Sequence, residues 1–479
     1  MEDRWYTHPI MGLSERVKEH RWSVLRFSIC LILSVAVTLS LALFTDMPRQ
    51  HYYMAGIFTI AALLWISEAL PLFATSLLII GLEIFLLANP GKWAGLGFEG
   101  LESPSYKAII AAAADPVLVL FFGGFMLAHA SQKEGVDKKM AAVMLMIFGQ
   151  RPRNILLGLM VITAFFSMWM SNTATTAMMI TLVVPLLDQL PKDDSFRKGL
   201  VLSIPFAANI GGMGTPIGSP PNAVAVSLLA KAGMTLGFIE WMAVALPFMA
   251  ILLVLAWLLL LVFFKEEQPQ LKLKMRSHEM DARGWYVILI FGLTIILWLT
   301  GKVHGLPSAV VALVPAIAFT APGILSREDV DRLEWDILLL IAGGISLGAG
   351  MTMTGLDKIL IGFMPQSGGF VVAAFMMATL ALSTFMSNTA AANLILPLGI
   401  SFAASSALLG VSPVAIAISI ALAASSAMAL PISTPPNAIA YSQGEIHTKD
   451  MAAVGSIIGI AGVSMFILGA EYLITLVGL

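Results

Sequence analysis

A chain of 479 residues with 58% hydrophobic and 12% charged side chains and a mean hydropathy of +0.89 has too little polar surface to cover a water-soluble body. Its formal net charge of -2 offers no footprint for nucleic acid, and its single cysteine, Cys30, excludes an intramolecular disulfide or a cysteine-rich metal site. The composition predicts an all-α polytopic membrane protein.

From the N-terminus, Met1 to Arg26 is mixed in charge and runs into an apolar stretch without a small-residue cleavage site, so no removable signal peptide is read. Apolar stretches approaching the roughly 20 residues needed to cross hydrocarbon are 27–44, 54–70, 72–88, 116–131, 199–231 (interrupted), 242–264, 284–301, 306–321, 336–351, 412–444 (interrupted) and 452–477. That makes 11 transmembrane helices. Two further apolar pieces, 154–187 and 370–406, are too long for one helix and carry Ser-Asn-Thr near their midpoints, so each is predicted to be a re-entrant helical hairpin. With a cytoplasmic N-terminus this topology puts 21 of the 27 Lys and Arg inside and 6 outside, as the positive-inside rule asks. It also places the C-terminus outside. The hydrophilic stretch 265–283 reads as a cytoplasmic linker.

The two sides of that linker repeat each other. Gly123-Gly124 returns as Gly343-Gly344, Gly135-Val-Asp137-Lys138 as Gly355-Leu-Asp357-Lys358, Ser171-Asn172-Thr173 as Ser387-Asn388-Thr389, and Pro216-Ile-Gly-Ser-Pro-Pro-Asn as Pro431-Ile-Ser-Thr-Pro-Pro-Asn. Because 131–153 falls inside and 352–369 outside, the five-helix repeats are expected to be inverted, a transporter signature with the site at the repeat interface. The glycine pairs read as close helix packing.

Proline removes a backbone donor and disfavours helix at the residue before it, so Gly218-Ser219-Pro220-Pro221 and Ser433-Thr434-Pro435-Pro436 should be unwound. Unwound carbonyls can hold a cation while half-helix N-termini face an anion. One Ser-Asn-Thr alone would read as helix-packing glue. Its duplication beside paired Pro-Pro-Asn loops points instead to a site. No Lys, Arg, His, Asp or Glu falls in 154–187, 199–223, 370–406 or 412–440, so an anionic substrate needs a co-bound cation, and neutral hard oxygens suit an alkali ion such as sodium. No nucleophile–base pair or metal cluster supports an enzyme.

The paired Ser-Asn-Thr motifs, together with Ser219-Pro220-Pro221-Asn222 and Thr434-Pro435-Pro436-Asn437, resemble the divalent-anion/sodium symporter family of dicarboxylate and citrate carriers. The resemblance implies a homodimer in a bacterial-type inner membrane, with scaffold helices in 1–153 and 284–369. A transport unit built from 154–264 and 370–479 would move as an elevator. It implies one sodium site at Ser167, Ser171, Asn172 and the Gly218 carbonyl, and a second at Ser383, Ser387, Asn388 and the Ser433 carbonyl. Substrate carboxylates are expected at Asn172, Thr173, Asn388 and Thr389, with Ser219, Pro220, Thr434 and Pro435 lining the pocket. The partners implied are a C4 dicarboxylate, sodium as coupling ion, membrane lipid and a second copy of the chain; no cofactor and no nucleic acid is implied. A sodium-independent exchanger, a citrate or sulfate carrier and an anion channel are the alternatives.

Overall fold

A computed structural model of the protein describes residues 13–271, 280–363, 368–405 and 412–477. The first twelve residues, 272–279 of the linker, 364–367, 406–411 (with the end of the second expected hairpin at 406) and 478–479 lie outside the described residues. Among those described, every regular element is helical and there is no strand.

In the first half, α1 (Leu13–Phe44) packs along α2 (Arg49–Ser67), and α3 (Leu72–Leu82) continues as a π-helical turn over Glu83–Ala88. Next come α4 (Tyr106–Ala113), α5 (Pro116–Lys133), α6 (Val136–Met146), α7 (Pro152–Ser167), α8 (Asn172–Leu187), α9 (Phe196–Gly212), α10 (Pro220–Lys231) and α11 (Phe238–Phe263). The second half holds α12 (Ala282–Leu299), α13 (Gly301–His304), α14 (Ser308–Val311), α15 (Leu313–Thr320), α16 (Arg327–Asp331) and α17 (Trp335–Thr354). It ends with α18 (Leu356–Gly362), α19 (Gly368–Phe385), α20 (Asn388–Ser405), α21 (Pro413–Ser425), α22 (Pro435–Tyr441) and α23 (Thr448–Val477).

Six helical stretches among the described residues are long and apolar enough to cross a membrane: Trp22–Phe44, Tyr106–Lys133, Phe238–Phe263, Ala282–Leu299, Trp335–Thr354 and Thr448–Gly469. The remaining expected spans are shorter helices; breaks at 213–219 and 426–434 divide 199–231 and 412–444, and breaks at 168–171 and 386–387 divide the two expected hairpins. The fourth span begins ten residues earlier than 116–131, since Asp115-Pro116 does not end the apolar run: Asp115 accepts from Val117 N at 3.0 Å and caps a fresh helix after α4.

Several short helices escaped the sequence reading, α6 and α18 among them. α6 and α18 each start after a glycine in the left-handed region, Gly135 (φ 66) and Gly355 (φ 77), and bury the aspartate of the repeated Gly-x-Asp-Lys. The glycine pairs do mark close packing. A Cβ on Gly123 would lie 2.3 Å from the Ala312 carbonyl oxygen, and one on Gly343 would lie 2.2 Å from Ser76 Cβ.

At the centre are α9 and α21, buried along nearly their whole length; α7 packs on α9, and α20 on α21. Large apolar side chains on α1, α11 and α12, among them Leu43, Val262 and Leu289, point away from this core. In water such a surface would be costly; in lipid it is the expected exterior.

Candidate ion and substrate site at two helix breaks

α7 and α8 have 16 residues each, so each arm reaches about 24 Å, short of a roughly 30 Å hydrocarbon core. Between them Ser171 caps α8, its Oγ accepting from Ala174 N at 3.2 Å; Ser387 caps α20 in the same way through Ala390 N at 3.2 Å.

Behind each cap the same triangle recurs. Ser167 Oγ lies 2.5 Å from Asn172 Oδ1 and 2.8 Å from the Ala208 carbonyl, and Ser383 Oγ lies 2.7 Å from Asn388 Oδ1 and 2.8 Å from the Ala424 carbonyl. All three members are related by a shift of 216 (383 − 167, 388 − 172, 424 − 208). One hydroxyl proton cannot serve two acceptors at once. At the first tip the conflict is sharper, because the position of Asn172 Oδ1 is also 3.3 Å from the Ala208 carbonyl and 3.0 Å from the Gly218 carbonyl. Turning the amide puts a donor there; leaving its oxygen there crowds four neutral oxygens together, a donor set for a hard cation. Gly212 makes room for this, since a Cβ on it would lie 2.5 Å from Asn172 Oδ1 and 2.8 Å from the Gly218 carbonyl.

The unwound loops are pinned by the asparagine of each Pro-Pro-Asn. Asn222 Nδ2 donates to the carbonyls of Gly212 (2.9 Å) and Thr215 (2.8 Å), and Asn437 Nδ2 to those of Met428 (3.0 Å) and Leu430 (2.9 Å). Freed carbonyls are thereby satisfied without closing the helix. A hydroxyl then ties each loop to its tip: Thr215 Oγ1 donates to the Met168 carbonyl, and Ser433 Oγ to the Thr384 carbonyl at 2.7 Å.

Contacts across the halves bring the two tips into one region. α10 packs on α20 and α21, and α22 packs on α8 and α9. Ser219 Oγ meets Ser425 Oγ at 3.3 Å, while Asn209 Nδ2 donates to Thr434 Oγ1 at 3.2 Å and to Asn437 Oδ1 at 3.1 Å. Ser425 stands where Asn209 does in the other half but is shorter, and Asn222 Oδ1 is left buried without a partner. Thr389, Ser219 and Thr434 are buried, Asn172, Thr173, Asn388 and Pro220 are half-buried, and Pro435 is exposed.

Ser171 behaves differently from its expected neighbours. Its hydroxyl donates to Glu334 Oε1 at 2.8 Å, a carboxylate supplied by the residue just before α17. Sequence reasoning missed Glu334, and it missed the Ala208 and Ala424 carbonyls. Backbone oxygens have no side-chain signature, and in Arg327-Glu-Asp-Val-Asp-Arg-Leu-Glu334 the glutamate looks like one more solvated loop charge. Close to the first tip, Trp169 stacks on Phe238 (6.0 Å, 7°), which stacks on Trp298 of α12 (5.2 Å, 5°).

Ion pairs between elements respect the expected sidedness. Lys133–Asp329 (2.5 Å), Arg197–Glu445 (2.5 Å) and Lys198–Asp450 (3.1 Å) each join two segments that the charge count assigns to the inside. Lys231–Asp115 (3.8 Å) and Lys302–Glu240 (2.8 Å) each join two assigned to the outside.

This arrangement can hold cations among neutral oxygens and face an anion with the N-termini of α8 and α20. Comparison with known proteins agrees with a transporter. The "Sodium:sulfate symporter transmembrane region" family model matches residues 22–479. A protein of Haemophilus influenzae named "Uncharacterized transporter" is 34% identical over 461 residues, covering 90% of this chain and 94% of that one. The sodium-dependent dicarboxylate transporter SdcS of Staphylococcus aureus is 30% identical over 474 residues (90% and 88%). The inorganic phosphate transporter PHO87 of Saccharomyces cerevisiae is 32% identical over 380 residues, 77% of this chain but only 40% of the yeast protein. In fold, the chain resembles the YdaH transporter of Alcanivorax borkumensis, with a TM-score of 0.52 at 13% identity over 86% of this chain and 97% of that one. A family match across all but the first 21 residues, together with relatives at 30% and 34% identity along most of its length, makes this chain an integral membrane transporter belonging to the divalent-anion/sodium symporter family.

Proposed function

We propose that the protein is a sodium-coupled symporter of C4 dicarboxylates such as succinate, fumarate and malate. The observation that carries this reading is the recurrent Ser–Asn–carbonyl triangle at 167/172/208 and 383/388/424, two neutral oxygen clusters beside two helix N-termini. Neutral oxygens hold sodium, bound sodium offsets the charge of the dianion, and Asn172-Thr173 and Asn388-Thr389 each receive one carboxylate. In this scheme Asn172 and Asn388 touch both ligands, which couples them. Ser171, Gly218, Ser387 and Ser433 complete the cation sites, and Ser219, Pro220, Thr434 and Pro435 line the pocket.

The transport step is an elevator movement in a homodimer, with 154–264 and 370–479 carried against a scaffold of 1–153 and 284–369. The N-terminus lies in the cytoplasm and the C-terminus outside. Sidedness of the five inter-element ion pairs supports this topology. The S. aureus relative supports the choice of ion and anion class.

The test is uptake of radiolabelled succinate, citrate, sulfate and phosphate into proteoliposomes with an inward sodium, potassium or choline gradient. Saturable succinate uptake that needs sodium is expected. Equal uptake in choline points to an exchanger, preference for phosphate or sulfate to an inorganic-anion carrier like the yeast relative, and unitary currents to a channel; each would overturn the reading.

A further inference from the structure

The two tips make the same contacts within themselves, yet among the described residues only the first is reached by a carboxyl group from another element. At the shift of 220 that relates Gly343-Gly344 to Gly123-Gly124, the counterpart of Glu334 is Ala114 (334 − 220), so the equivalent position in the other half carries a methyl group. Glu334 is half-buried and belongs to the approach to α17, not to the helices that build the tip; burial pushes its carboxyl up to about 7 against the Ser171 hydrogen bond, so it carries its charge above neutral pH.

The first tip's expected cation ligands are all formally neutral: Ser167 Oγ, Ser171 Oγ, Asn172 Oδ1 and the Gly218 carbonyl. A serine hydroxyl has one proton and two lone pairs. Ser171 spends one lone pair on Ala174 N, and Glu334 takes the proton. The second lone pair is then free, and no O–H points at an incoming cation. A hydrogen bond to a carboxylate is also about twice as strong as one between neutral groups, so the serine is held in that orientation.

We propose that Glu334 is a positioning residue for the cation at the first tip, fixing the Ser171 hydroxyl so that its oxygen faces the ion and placing a negative charge one hydrogen bond from an otherwise neutral donor set. The two cation sites are therefore unequal, the first binding more tightly. This rests on the reading of the first tip as a cation site.

The experiment is thermal unfolding of the purified full chain at pH 8, where Glu334 is ionised, without substrate, titrated with sodium chloride against choline chloride at constant ionic strength. Wild type should be stabilised by sodium, with Glu334→Gln raising the half-effect concentration about tenfold while leaving the choline melting temperature unchanged. Glu334→Asp, which keeps the charge, should stay within about threefold of wild type. Ser387→Ala, at the other tip, should add to Glu334→Gln, whereas Ser171→Ala should make Glu334→Gln silent. No sodium effect on wild type would remove the cation reading itself. A normal sodium effect on wild type with an unchanged midpoint in Glu334→Gln overturns the role of Glu334 alone. Loss of stability in choline for both Gln and Asp variants, or failure of both to fold, makes the residue structural and overturns it too.

Discussion

Thr215 and Ser433 make the same pair of hydrogen bonds from opposite ends of the same turn. Thr215 Oγ1 accepts from Gly218 N at 3.0 Å and donates to the Met168 carbonyl; Ser433 Oγ accepts from Leu430 N at 3.2 Å and donates to the Thr384 carbonyl. At the shift of 215 between the loops, Thr215 corresponds to Leu430 and Gly218 to Ser433 (430 − 215, 433 − 218). The hydroxyl has changed places with its partner and both bonds survive. Ser433→Gly should therefore cost about 1–2 kcal/mol by stranding a half-buried N–H and carbonyl. Adding Leu430→Thr should recover at least half of that loss in denaturant-induced unfolding, and a double variant no better than the single one would show that the exchange is coincidental.

Gly212 is a second point of dependence. Its Cβ would strike the Asn172 amide, so Gly212→Ala should cut sodium-dependent uptake at least about tenfold by displacing that side chain. Gly292 has nothing within 4 Å of a Cβ and serves as the control: Gly292→Ala, in the middle of α12, should leave uptake and stability unchanged or slightly improved.

Asn172→Ala and Asn388→Ala remove an amide expected to touch both ion and anion. Each should lower sodium-driven uptake at least about tenfold, with an unchanged elution profile on size exclusion. Full retention of uptake in both variants would take the tips out of the mechanism.

Asp137, on α6 and outside the spans, predicts a pH effect. Burial pushes its carboxyl up to about 6 against the opposing Lys138 N–H and ammonium, and Oδ2 has no partner because the position that holds Ser401 against Asp357 (2.6 Å) is Pro185 in the first half. A carboxyl raised in the fold favours its protonated form. Stability is therefore highest below the unfolded value near 4 and falls as pH rises through about 6. Asp137→Asn should gain up to about 2 kcal/mol at pH 8, about half of that at pH 5 and nothing at pH 3, measured by melting temperature in detergent. A gain independent of pH would assign the effect to packing.

Much of this was legible because it is written in side chains and spacing. Ser-Asn-Thr in apolar sequence, the doubled Pro-Pro-Asn and the order of the motifs located the breaks that separate α7 from α8, α9 from α10, α19 from α20 and α21 from α22. What escaped is what side chains do not announce. α6 and α18 are short amphipathic pieces with charged residues, so a hydropathy reading passes over them. The Ala208 and Ala424 carbonyls come from residues with no polar side chain, and Glu334 becomes part of the first tip only through a contact spanning 163 positions of sequence. Asn222 and Asn437 were visible as motif letters, but their work as clamps on the loop backbone needed coordinates.

The stack of Trp169 on Phe238 and Phe238 on Trp298 gives the molecule an optical readout of its own. Trp169 and Phe238 both lie in 154–264, so displacement of that unit away from α12 separates Phe238 from Trp298, and an indole that loses a stacked neighbour in a buried setting changes its emission. The difference between the fluorescence of wild type and of Trp298→Phe isolates that signal from the other tryptophans. Ion and substrate titrations followed in this way would time the departure of the tip without a label.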